Sequence, residues 1–145
     1  MNTEAPVPGT PAYLLDAGPL AAAVNRRDQH HAWAVRTLDR LDAPILTCEA
    51  VVSEAWFLAR RGRGNAAAVL DLIAALDAQV VPAWQPRTDA LLRRYVDRAS
   101  VADAALLALA EAEDGRVVVT TDREDSSVYR LHRRRVVPAL APPAP

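Results

Sequence analysis

Short apolar segments alternate along this chain with longer, helix-like segments, and this alternation constrains the fold most. The first segment, Tyr13-Leu14-Leu15, runs straight into Asp16, and Gly18-Pro19 then turns the chain into an Ala-rich run. Such alternation favours a parallel sheet with helices on both faces. We predict a three-layer α/β/α sandwich around a mainly parallel sheet of four to five short strands. The later strand-like segments are Ile45–Thr47, Val80-Val81, Val117–Val119 and, at the edge, Val136-Val137.

The length of 145 residues fits one domain with a sizeable core. Residues 1–11 contain three prolines and a glycine and are predicted to be a flexible lead-in. Residues 12–138 form the predicted α/β domain. The Pro/Ala-rich residues 139–145 are predicted to be a disordered tail.

Composition excludes several classes of protein. A single cysteine, Cys48, rules out an internal disulfide framework and a thiolate metal cluster. No signal-like segment is present, and no apolar run reaches the roughly 18 residues of a membrane-spanning helix, so a cytoplasmic protein without membrane contact is expected. The net charge of −1 gives the chain no overall positive field that would indicate nucleic-acid binding, although all 17 basic residues are arginine.

Four acids are expected to meet at one edge of the sheet. Asp16 and Asp122 each follow a buried strand directly, Glu54 lies among apolar neighbours in the helix after the second strand, and Asp103 lies near a helix start. The carboxyl ends of parallel strands share an edge, where open α/β sheets bind ligands. Carboxylates in one pocket repel each other unless a cation compensates them, and oxygen ligands suit Mg²⁺ or Mn²⁺ rather than Zn²⁺.

Each acid also has a plainer explanation. An aspartate before Gly-Pro is a common turn former, and Ser100-x-x-Asp103 is a capping box. Glu54 fits a solvated helix face, and Asp122 fits the cap of a following turn. The metal-site interpretation therefore depends on the joint order of the four acids and not on any one of them.

Five stretches carry a resemblance to a known family: Leu14–Leu20, Arg27–Ala34, Thr47–Ala55, Ala102–Leu106 and Thr120–Asp125. In order and spacing they resemble a PIN domain, specifically the stand-alone toxins of the VapC type, over about residues 12–137. The resemblance implies an endoribonuclease, the toxin of a type II toxin–antitoxin pair, that hydrolyses RNA phosphodiesters with metal-activated water. It also implies a small antitoxin partner and a homodimer.

The resemblance assigns catalytic roles to the same four acids. Asp16 and Asp103 would be the principal Mg²⁺ or Mn²⁺ ligands, while Glu54 and Asp122 would hold a second ion or orient water. The chain departs from the pattern of that family at two places. Ser126 stands where relatives often have an aromatic residue. The segment before Ser100 lacks a second acid that some relatives carry, and Asp97 is the available substitute. The residues predicted to support the site are Thr120, Thr121 and Asp125.

Two further patterns leave alternatives open. The basic runs Arg60-Arg61-Gly62-Arg63 and Arg133–Arg135 are either solvated ends of elements or a grip on RNA phosphates; Arg60, Arg61 and Arg63 are the RNA-contact candidates. The apolar residues Trp56, Phe57 and Val69–Leu76 are either core or, as in toxin relatives, a groove for the antitoxin or a second copy.

Two other functions compete with the nuclease. A PIN-like module that binds RNA or protein without turnover would carry the same acids. A phosphoacceptor receiver domain requires a lysine after a late strand, and the chain has no lysine at all, so that alternative is disfavoured.

Overall fold

A computed structural model gives the structure of the chain and describes residues 11–144, apart from the side chains of residues 125 and 126. The strands are β1 (Ala12–Leu15), β2 (Ile45–Cys48), β3 (Gln79–Val81), β4 (Arg116–Val119), β5 (Arg130–Leu131), β6 (Arg135–Val136) and β7 (Ala139–Leu140). The helices are α1 (Ala17–Ala23), α2 (His31–Asp39), α3 (Glu49–Arg61), α4 (Ala67–Ala75), α5 (Pro86–Arg94), α6 (Val101–Ala112) and α7 (Arg123–Val128).

Five of these strands form one sheet in the order β3-β2-β1-β4-β7, and every neighbouring pair is parallel. The chain steps from β1 through β2 to β3 and then crosses back to β4. Because such crossovers are right-handed, α1 to α4 cover one face of the sheet and α5 and α6 cover the other. The predicted three-layer sandwich with a parallel sheet is confirmed. The carboxyl ends of these five strands consequently lie on one edge of the sheet.

Helix starts follow local capping chemistry. The carboxylate of Asp16 accepts a hydrogen bond from Ala17 N, so α1 begins directly after β1 and includes Pro19 in its first turn. Helix α3 spans Glu49–Arg61 and begins directly after β2. Before α2, the Asp28 carboxylate accepts a hydrogen bond from His30 N and closes a turn, and the helix begins after this turn at His31.

The prediction of a disordered tail is wrong for Ala139–Leu140, and the predicted last strand is also wrong. Residues Ala139–Leu140, assigned above to a disordered tail, form β7 at the edge of the sheet, where Val118 N donates to Pro138 O and Thr120 N donates to Leu140 O. Val136, expected on that edge, instead pairs with Arg130 in the separate antiparallel hairpin of β5 and β6. The lead-in predicted for residues 1–11 lies outside the described residues, except for Pro11.

Helix length and polarity bear on membrane contact. Within residues 11–144, no helix is both long enough and apolar enough to cross a bilayer.

Candidate active site

A cavity of about 280 Å³ opens at the edge where the strands end. All four predicted acids line it: Asp16 follows β1, Glu54 lies in α3, Asp103 lies in the first turn of α6, and Asp122 follows β4. None of the described residues that line the cavity is basic. The other lining residues are Gly18, Leu58, Ser100, Leu106, Leu107, Val118, Thr120, Thr121, Tyr129 and Val137.

Asp16 is fixed by hydrogen bonds to both carboxylate oxygens. Ala17 N donates to Oδ1 at 2.8 Å, and the hydroxyl of buried Thr120 donates to Oδ2 at 2.7 Å. The same hydroxyl oxygen accepts a hydrogen bond from Asp122 N at 3.0 Å. Thr120 therefore ties the end of β1 to the end of β4 and sets the position of two acids.

The pKa values of two of the acids are raised above their usual range. Burial raises the pKa of Asp16, and nearby Asp103 and Asp122 raise it further against the opposing hydrogen bonds from Thr120 and Ala17. Burial also raises the pKa of Glu54, with Asp16 and Asp103 adding to the effect. These carboxylates interact electrostatically across the cavity, and among the described residues no cationic side chain lines it to offset the repulsion.

Asp103 is positioned from its own helix and from a distant aromatic residue. Ser100 Oγ accepts from Asp103 N at 3.1 Å and Ser100 N donates to Asp103 Oδ2 at 3.0 Å, which is the predicted capping box. The same oxygen accepts a hydrogen bond from Tyr129 OH at 3.2 Å. Tyr129 is held in turn by an edge-to-face contact with Tyr95, with ring centroids 5.1 Å apart.

Tyr129 and the apolar wall of the cavity are absent from the residues predicted above. Tyr129 stands 26 residues beyond Asp103 in the sequence. Only folding brings it to that carboxylate. No local sequence pattern marks it.

A family model supplies the identity that this geometry suggests. The model for the PIN domain matches residues 13–131. The chain belongs to the PIN domain family. Among curated proteins no sequence match is found. A solved structure that resembles this PIN domain is VapC20 of Mycobacterium tuberculosis, a toxin that cleaves the sarcin–ricin loop. The TM-score is 0.66 at 21% identity, over 77% of this chain and 91% of that one.

The donor atoms of this PIN domain fit a hard divalent cation. Carboxylate and hydroxyl oxygens face the cavity, and a carboxylate oxygen that accepts one hydrogen bond keeps a lone pair for a metal. The side chain of Glu54 makes no hydrogen bond to any described residue. Among the side chains that the structure describes, no three acids are already drawn together as a metal cluster. The four acids therefore line the cavity, but their side chains are not close enough together to form a metal-ligand cluster.

Gly18 lets α1 approach the end of β4. A Cβ atom at this position would lie 1.9 Å from Thr121 Oγ1. Any other residue here would push Thr121 away from the cavity that both residues line. The Gly-Pro turn after Asp16 is thus a close-packing requirement as well as a turn signal.

The remaining predicted residues lie apart from the cavity. Exposed Asp97 does not line it, so the substitute acid considered above is not placed there. Asp125 belongs to α7, but its side chain lies outside the described residues. The RNA-contact candidates Arg60, Arg61 and Arg63 are exposed at the end of α3, beyond the lining residue Leu58.

Proposed function

We propose that this PIN domain is a Mg²⁺- or Mn²⁺-dependent endoribonuclease that acts in the cytoplasm as the toxin of a type II toxin–antitoxin pair. One observation carries the proposal: four carboxylates line a single cavity to which no described basic residue contributes. A cavity that raises the pKa values of its own acids is well suited to a compensating cation. The fold of VapC20, described as an RNA-loop-cleaving toxin, supports the proposal.

Each acid has a role set by its surroundings. Asp16 and Asp103, whose orientations are fixed by hydrogen bonds, would be the principal ligands. Glu54, which has no such bonds, is the most adaptable member and would hold a second ion or orient water, together with Asp122. A bound cation would supply Lewis-acid activation of water and stabilise negative charge on the phosphoryl oxygens.

The hydroxyl groups and the apolar wall complete the site. Thr120 aims the Asp16 carboxylate at the cavity because its hydroxyl donates to Oδ2, and this hydrogen bond partly opposes the rise in the pKa of Asp16 that burial causes. Leu106, Leu107 and Val118 limit the access of bulk water, which strengthens every electrostatic interaction inside. Thr121 and Asp125 remain proposed supporting residues.

The antitoxin is proposed to bind a separate apolar groove. This groove, the α3–α4 groove, has a volume of about 440 Å³ and is lined by Glu49, Val52, Ser53, Trp56, Leu70, Ile73 and Val80. Trp56, Leu70 and Val80 are 37%, 46% and 43% exposed, which is high for apolar side chains on one surface. The homodimer implied by the resemblance is a rival use of the same groove.

Co-purification separates the two uses of the groove. Trp56→Asp should reduce capture of a tagged cognate antitoxin at least thirtyfold, because a buried aromatic anchor contributes about 2 kcal/mol or more. Val35→Asp, a matched change at an exposed position of α2, should not. Unchanged capture, with a loss of dimer on size-exclusion chromatography, would assign the groove to a second copy.

RNA cleavage tests the proposed activity. Purified protein incubated with total RNA and Mg²⁺ or Mn²⁺ should cut it, EDTA should stop the reaction, and Asp16→Asn should abolish cleavage while circular dichroism remains unchanged. Cleavage by Asp16→Asn at the parent rate would overturn the site assignment. Tight RNA binding without cleavage under any metal condition would instead support the non-catalytic module.

A further inference from the structure

We infer that the β5–β6 hairpin, residues 130–136, is an arm that binds RNA phosphates beside the cavity; this inference rests on the proposed function. The segment carries four arginines, Arg130 and Arg133–Arg135, together with His132. None of these five side chains lines the cavity. The arm, called the basic hairpin below, thus adds a positive surface next to an acidic site that would otherwise repel RNA.

The base of the basic hairpin is built into the cavity wall. Tyr129 precedes it and Val137 follows it, and both of these buried residues line the cavity. Leu131 is also buried, whereas residues 132–136 are exposed. From Tyr129 to Arg133 the chain spans at most about 14 Å. If one RNA phosphate lies in the cavity, a phosphate a few nucleotides away on the same strand can therefore reach the tip of the hairpin.

The tip is held in a strained conformation. His132 and Arg133 have φ values of 48° and 66°. Two consecutive positive φ values are typical of the hairpin turn that favours Asn-Gly, and a residue with a Cβ atom adopts them only with steric strain. Because glycine at either position would relieve that strain, a charged residue there indicates a use for the side chain.

A buried carboxylate from another helix stabilises the turn. Glu111 of α6, with a side chain only 4% exposed, accepts a hydrogen bond from His132 N at 3.0 Å. Arg87 of α5 donates two hydrogen bonds to the same carboxylate, at 2.6 and 3.0 Å. Both helices of one sheet face thus anchor the arm, which fixes its direction relative to the cavity.

The arginines of the hairpin divide into bound and available groups. Arg130 donates to Ser127 O and Tyr129 O, and Arg135 forms an exposed ion pair with Asp114 at 3.3 Å. Within the described part of the chain, the guanidinium groups of Arg133 and Arg134 make no hydrogen bond or ion pair. Two unpaired guanidinium groups on a rigid turn can bind phosphates in a bidentate manner.

RNA binding measured against salt tests the arm. An Asp16→Asn background keeps the probe intact, and the probe is a fluorescein-labelled RNA stem–loop in 50 to 300 mM KCl. Arg133→Gln/Arg134→Gln should weaken binding about five- to tenfold and reduce the slope of log K against log salt by about 1.5. The matched control is Arg36→Gln/Arg40→Gln, two exposed positions at the end of α2, with an expected change below twofold.

Arg133→Gly separates a role in binding from a role in folding. Glycine should relieve the positive φ and raise Tm by about 3 °C, while RNA affinity falls about threefold. A structural role alone would predict higher stability with unchanged affinity, and that result would overturn the inference.

The remaining outcomes are equally decisive. Hairpin variants that bind RNA as the α2 control does would overturn the inference, whether or not the parent cleaves RNA. A loss of antitoxin capture with unchanged RNA binding would also overturn it, because the partner would then be a protein. If the parent never cleaves RNA but the hairpin variants lose affinity and salt slope, the proposed catalysis fails and the RNA-binding arm stands.

Discussion

The acidic cavity and the basic hairpin adjoin at Tyr129, yet they hold their charges in opposite ways. In the cavity the backbone follows regular strand ends and helix starts, and the cost of the arrangement appears as raised pKa values of Asp16 and Glu54. In the hairpin the charged groups are exposed, and the cost appears as positive φ values at His132 and Arg133. One region stores electrostatic energy and the other stores backbone strain.

This difference indicates what relieves each region. A cation, or neutralisation of an acid, relieves the cavity without changing its backbone. Glycine relieves the hairpin without changing the cavity. If both regions serve RNA hydrolysis, neutralising a cavity acid and placing glycine in the hairpin should each stabilise the metal-free protein and weaken its function, but on different readouts: turnover for the cavity and RNA affinity for the hairpin.

The largest expected effect is the loss of turnover when a cavity acid is neutralised. Asp103→Asn should lower RNA cleavage about 10³-fold, or roughly 4 kcal/mol in the activation barrier, because a principal ligand is lost. RNA affinity should change less than twofold. Asp97→Asn, at the exposed acid that lies apart from the cavity, should cleave within twofold of the parent. Equal losses in the two variants would contradict the geometry.

A smaller effect is expected where the hairpin joins the helices. Glu111→Ala should destabilise the protein by about 2 kcal/mol because His132 N and Arg87 lose their buried acceptor. Asp114→Ala removes the exposed ion pair to Arg135 and should cost under about 0.5 kcal/mol. Urea denaturation of both variants checks this order, and a reversed order would mean that the ion pair at Asp114, not Glu111, anchors the arm.

The smallest effect is the pH dependence of stability without metal. Because the pKa values of Asp16 and Glu54 are raised in the folded protein, these two groups bind more protons there than in the unfolded chain above about pH 4, which gives their contribution to stability a negative slope with pH. Stability in EDTA should therefore fall as the pH rises through the raised values. Glu54→Gln should reduce this fall by about 1–2 °C in Tm, whereas Arg133→Gly should leave it unchanged. An equal fall of Tm with pH in the parent and in Glu54→Gln would contradict a raised pKa of Glu54 in the folded protein.

Local signals predicted the strand ends well. Leu14-Leu15-Asp16 specifies both a buried strand and the cap of the following helix. Because β1 and β4 are parallel, Asp16 and Asp122 lie on the same edge of the sheet. Convergence of the acids around one cavity was therefore predictable from order alone. The roles of the acids in metal binding and catalysis stay predictions until the variants are measured.

Long-range pairing was not predictable in the same way. The composition of Ala139–Leu140 indicates disorder, but the open edge of β4 has unpaired backbone groups that this segment satisfies. Tyr129 reaches Asp103 only because β5 packs beneath α6. The strained turn at His132 is likewise invisible in a sequence that lacks the Asn-Gly signal of such turns.

Thermal unfolding with Mn²⁺ tests the central claim most directly, namely that the four acids jointly hold a divalent cation. At a concentration about a hundredfold above Kd, Mn²⁺ should stabilise the parent by about 2.7 kcal/mol and raise Tm by several degrees relative to EDTA. Asp16→Asn/Asp103→Asn should show no such rise, although its Tm in EDTA should match or exceed that of the parent. An equal rise in both proteins, or none in the parent, would contradict the account.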